Sequence, residues 1–154
     1  RSPQGEKAMT DIETAKAGLI GHTLSLCKGK KRLYSDKRGI APMVGFIAAN
    51  EDLAGFSAAD LIVGKAAALL FVKAGIREVY AQTLSESGKA VLLAHGIPFS
   101  YRELTPKIVN RLKTDVCPME KAVQDTDDPE RAYALIVAAL EKLGRGGAAA
   151  AEIG

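Results

Sequence analysis

The chain has 154 residues, 47% of them apolar and 25% charged, and a net charge of +3; this suffices for one globular domain with a substantial core and gives no sign of a second. So small and scattered a charge does not imply nucleic acid as a partner, and the two cysteines, Cys27 and Cys117, lie too far apart in sequence to signal a disulfide framework or a cysteine zinc site. A reducing, cytoplasmic setting is expected, with no membrane anchor and no cofactor.

Residues 1–8, RSPQGEKA, read as a tag remnant or a disordered terminus. Thr10 then stands as an N-cap with Glu13 in capping-box spacing, which predicts an amphipathic helix from Met9 to about Ile20. Residues 23–27 and 32–35 are short extended runs around Lys28-Gly29-Lys30 and predict a β-hairpin. The basic residues at its turn, Lys28, Lys30, Lys31 and Arg32 with Lys37 and Arg38 nearby, read as a solvated edge. In the stretch GIAPMVGFIAAN, Pro42 suits a first helical turn, so a short helix ends near Asn50.

The next stretch, FSAADLIVGKAAALLFVKAG from Phe56 to Gly75, predicts the central helix. Ser57 and Asp60 have capping-box spacing, Phe56 and Leu61 can staple the entry, and Gly75 suits the left-handed exit. Apart from Asp60, Gly64, Lys65 and Lys73 it is apolar or Ala on every side, as a buried helix is. Residues 77–83 predict a strand, and residues 85–95 a helix capped by Ser85 or Ser87 and closed by Gly96. Another strand follows at 97–103, with Pro98 at its start. Thr105 and Pro106 open a short helix. Cys117, Pro118 and Glu120 occupy cap, first and third positions of another, Glu120 being the capping partner of its own helix. The last helix starts at Asp128-Pro129-Glu130, presents Tyr133, Ile136 and Leu140 to a core, and stops at Gly144. The expected architecture is an α/β, three-layer α/β/α sandwich with a mixed sheet and an N-terminal hairpin. Its domain spans 9–124, a helix at 125–144 packs on it, and the Ala-rich residues 145–154 form a disordered tail.

This order of elements resembles the cytidine-deaminase-like fold. In zinc deaminases the helix after the hairpin starts with H-x-E and the next with P-C-x-x-C. With the central helix placed as above, those positions fall on Val63-Gly64-Lys65-Ala66 and on Ser85-Glu86-Ser87-Gly88, which lack the ligands, and no metal site is expected. His22 and His95 fall at helix ends, where a last-turn His is favoured by the dipole. More closely, D-L-I-V-G-K-A-A-A-L-L, with R-G-I-A-P before it and N-R and C-P-M-E-K after it, resembles the bacterial and archaeal family catalogued as domain of unknown function 1893. That resemblance covers about Thr23 to Val123 and leaves the last helix outside. It implies a deaminase-like fold without zinc motifs and brings no established reaction.

Among candidate site residues, Lys65 is a nucleophile or base if the apolar helix desolvates it, or a snorkelling cation if its ammonium reaches water or a carboxylate. Cys117 is a thiolate favoured by a helix N-terminus, or a small buried cap. Asn110 and Arg111 could fork onto a phosphate or carboxylate. Gly64 permits close backbone approach, and Ser85, Glu86, Ser87 and Gly88 offer amides to an anion. With Asp60 and Glu120 these make up the expected ligand-binding set. The leading expectation is a protein without zinc that binds a small anionic or nucleoside-like molecule. An enzyme using Cys117 or Lys65 is the second reading and a homo-oligomeric interaction module the third. Homodimerisation is compatible with all three.

Overall fold

The computed structural model describes residues 9–109 and 117–145. Helix α1 (Asp11–Gly18) begins as its sequence dictates: Thr10 Oγ1 accepts from the Glu13 amide, and Glu13 Oε1 accepts from the Thr10 amide at 2.8 Å. Strands β1 (Leu24–Lys28) and β2 (Lys31–Ser35) form the expected hairpin, with Lys28 opposite Lys31 and Gly29 at a positive φ of 60° in the turn. The Asp11 carboxylate accepts from the Gly29 amide at 3.1 Å and ties that turn to α1. The basic residues named at the hairpin are all exposed. Helix α2 (Ala41–Ala48) carries Pro42 in its first turn, as expected.

The predicted central helix from Phe56 to Gly75 is two elements. Residues Ser57–Val63 form strand β3, and only Lys65–Ala74 form helix α3, with Gly64 between them. Ser57 and Asp60 therefore form no capping box. The cause is burial on both sides of β3. Ala58 belongs to the larger core, whereas its neighbour Ala59 packs with Ala15 and Leu19 beneath α1. A strand covered on both faces has no apolar-polar alternation, and this one runs straight into an apolar helix. The exit is as expected, because Gly75 closes α3 in the left-handed region at φ 78°.

Strand β4 (Glu78–Ser85), helix α4 (Glu86–Ala94) and strand β5 (Phe99–Thr105) follow close to their predicted places. The short helix expected at Thr105-Pro106 is absent from residues 105–109: Thr105 ends β5, and the residues after it are non-helical up to Val109. Helix α5 (Pro118–Val123) has Cys117 as N-cap, and α6 (Pro129–Arg145) continues through Gly144 instead of stopping there.

The sheet has five strands in the order β2-β1-β3-β4-β5. β1 is antiparallel to both β2 and β3, while β3, β4 and β5 are parallel and joined by α3 and α4. Successive strand residues point to opposite faces, so the separate surroundings of Ala58 and Ala59 put helices on both sides of this mixed sheet. On the larger side α3 is the hub, packing against α4, α5 and α6 with Leu69, Leu70 and Phe71 wholly buried. Among the described residues no helix is long and apolar enough to cross a membrane.

Candidate functional site

The C-terminal end of β3 passes into α3 through one residue, and that residue has no side chain with which to cap the helix. Gly64 leaves the first amides of α3 without a local acceptor. The acceptor comes from α5. Glu120 Oε1 accepts from the Lys65 amide and Oε2 from the Ala66 amide, each at 2.8 Å. Glu120 is thus the cap of a helix more than fifty residues upstream in sequence, where the spacing of α5 made it the partner of its own. A carboxylate is favoured there by the helix dipole and by two charge-assisted hydrogen bonds.

Glycine is required at this joint for space. Gly64 has a φ of −106°, open to any residue, but a Cβ on it would collide with the Glu120 carboxylate. A Cβ on Gly88 would lie 3.0 Å from the Gly64 carbonyl atoms and from the Val63 oxygen. The starts of α3 and α4 therefore meet backbone to backbone. At α4, Ser85 Oγ accepts from the Gly88 amide at 2.9 Å, and the hydroxyl of exposed Ser87 lies 3.2 Å from it. Glu86 is exposed in the same turn.

A small cavity of about 40 Å³ opens between the starts of α2 and α3, walled by Gly39, Ile40, Gly64 and Ala66 and bounded on the α5 side by Cys117 and Glu120. Cys117 is buried, and its amide donates to the Ile108 carbonyl at 3.0 Å. Lys65 lies elsewhere. Its Nζ donates to the Gln124 carbonyl at 3.2 Å, pairs with Asp127 at 3.1 Å, and borders a separate cavity of about 320 Å³ with Ser87 and His95. The structure brings Gly64, Cys117 and Glu120 to one cavity and sends the Lys65 amine to another. Asn110 and Arg111 lie outside the described residues.

Asp60 stands in the middle of β3 between Leu24 of β1 and Ala81 of β4, and is 9% exposed. Burial pushes its carboxyl up to about 7, against the pull of the Leu61 and Ile62 amides. It borders a cavity of about 160 Å³ together with Thr23 and Arg38, and Gly39 and Ile62 wall both this cavity and the one at α3. Sequence reasoning missed Arg38, which had only the character of a solvated charge. It also missed Gly39 and Ile40, because the undetected strand displaced the count of helices; the usable signal was Gly64 inside an apolar run.

His22 Nδ1 lies 2.6 Å from Asp36 Oδ1, and its ring stacks on Tyr34 at 4.8 Å, while His95 is exposed at the end of α4. Burial, with the Asp11 carboxylate adding to it, pushes the Cys27 thiol up. Among the described residues, no three His, Cys, Asp or Glu side chains are grouped to hold a metal ion.

A family model described as Domain of unknown function (DUF1893) matches residues 19–140. The match includes most of α6, which the motif resemblance had left outside. A crystal structure of a DUF1893 family protein from Thermotoga maritima superposes with a TM-score of 0.74 at 25% identity, covering 92% of this chain and 97% of that one. No curated protein matches the chain. With four-fifths of its length accounted for by one family model, the chain belongs to the DUF1893 family.

Proposed function

We propose that the protein is a deaminase-like scaffold that binds a small anionic or nucleoside-like molecule where α2 and α3 begin, without zinc. The observation that carries this reading is the Glu120 carboxylate held across the first two amides of α3 beside a cavity. Those amides are an anion seat, and in this reading Glu120 fills it until the anionic group of a ligand takes its place. The small cavity and the one that Asp60 borders are neighbours, with Gly39 and Ile62 in the wall of each.

The element order supports the deaminase-like assignment, with β3 now included. The helix after the hairpin is α2, so the H-x-E position falls at Ile40-Ala41-Pro42, and the P-C-x-x-C position falls at the Gly64-Lys65 start of α3. The cavity lies between these two helix starts. The residue types at both are ones that do not ligate zinc, and the site works by hydrogen bonding and shape. Gly64, Ser85, Glu86, Ser87 and Gly88 then form the frame that sets the two parallel helices against each other, with Asn110 and Arg111 the further candidates for contacting an anion.

Thermal unfolding of the wild type and of Glu120→Ala, each with inorganic phosphate and with cytidine monophosphate, tests the proposal. Losing the cap should cost about 1–3 kcal/mol because two amides lose their acceptor. Phosphate or the nucleotide should recover part of that loss, and should raise the variant's midpoint more than the wild type's. Equal, negligible shifts in both proteins would contradict the reading. A second reading uses Cys117 as a nucleophile, favoured by its place in the wall of the same cavity. Thiol labelling that slows when the nucleotide is present supports it, and labelling only on unfolding removes it. Lys65, paired with Asp127, would enter such chemistry only after that pair opens.

A further inference from the structure

We propose that the cavity between Asp60 and Arg38 is a binding site for a small zwitterion, a molecule of the amino-carboxylic acid class whose ammonium meets Asp60 and whose carboxylate meets Arg38. This site neighbours the α3 cleft and does not depend on a ligand there.

A buried carboxyl ordinarily has a cation or a full set of hydrogen-bond donors, because removing it from water is costly. Asp60 has neither a salt bridge nor a side-chain donor among the described residues; its help comes from the Leu61 and Ile62 amides alone. Yet it borders a cavity instead of packed side chains. At the exposed rim of that cavity stands Arg38, also without an ion pair among the described residues. The nearest acid in sequence, Asp36, is occupied by His22. One uncompensated acid inside and one uncompensated base outside are complementary to a molecule that carries the opposite charges at its two ends.

The size and rigidity of the cavity suit such a molecule. Its volume is about 160 Å³, and an apolar cavity of about 150 Å³ admits one benzene ring, so the occupant has roughly six heavy atoms. The wall is pinned: Thr23 Oγ1 lies 2.9 Å from the Ser35 carbonyl and 2.6 Å from that of Lys37, fixing the segment that carries Arg38. With its single proton directed to one of those carbonyls, the Thr23 oxygen keeps lone pairs that can accept from an ammonium.

Titration of isotope-labelled full chain with glycine and β-alanine, followed by amide NMR, tests the inference, with propionate and ethylamine as probes carrying one charge each. β-Alanine or glycine should shift the Gly39, Leu61 and Ile62 amides, and each single-charge probe should bind at least about tenfold more weakly. Asp60→Asn, an isosteric change that keeps the fold, and Arg38→Ala, at an exposed position, should each weaken the zwitterion by about tenfold or more. No shift with either amino acid, shifts of equal strength with ethylamine, or binding that survives Asp60→Asn would overturn the assignment.

Discussion

Gly64 concentrates the account at the scale of single residues. Its replacement acts through the Glu120 carboxylate, which a Cβ would strike. Gly64→Leu should destabilise by about 1–3 kcal/mol in denaturant unfolding; combining it with Glu120→Ala should recover part of that cost, because the obstructing group is gone. Strict additivity of the two would show that they do not touch. Asp60 makes a separate prediction in pH. A carboxyl raised from 3.8 to about 7 on folding binds extra protons in the native state, so its contribution to stability is greatest below the unfolded value and declines as pH rises to about 7. Asp60→Asn abolishes this titration, and the variant should gain on the wild type steadily across that window and exceed it in stability above it. A difference between the two that is constant with pH would contradict the shift.

At the scale of elements, local signals and burial divide the work. The Thr10 and Ser85 caps, the Gly29 turn, Pro42 and Gly75 were legible because each satisfies a requirement within a few residues of itself. Ser85→Ala should accordingly cost about 1 kcal/mol by chemical denaturation with the m-value unchanged, whereas no loss would mean that Ser87 can take over the cap. β3 was illegible for the opposite reason: its Ala-rich, two-sided burial is set by α1 on one face and α3 on the other, and helix propensity is a weak prior against such context. The same limit hid Glu120. Its sequence spacing fits a local cap, and only the packing of α5 on α3 delivers it to the longer helix.

For the whole molecule, the parallel run β3-α3-β4-α4-β5 brings strand ends and helix starts to one edge of the sheet, the place where open α/β folds put ligands. The α/β class and a mixed sheet followed from the order of elements alone. The composition of the site followed only in part: Asp60, Cys117 and Glu120 were among the expected residues and Arg38 was not, and these four come from three separate parts of the chain that line two neighbouring cavities only after folding. The central claim is that the start of α3 is an anion seat that Glu120 occupies in the free protein. It is tested most directly by the backbone amide resonances of Lys65 and Ala66 in Glu120→Ala during a phosphate titration. The account predicts that both amides move upfield on loss of the carboxylate and return downfield, saturably, as phosphate binds; amides that ignore the substitution, or that show no response to phosphate, would contradict it.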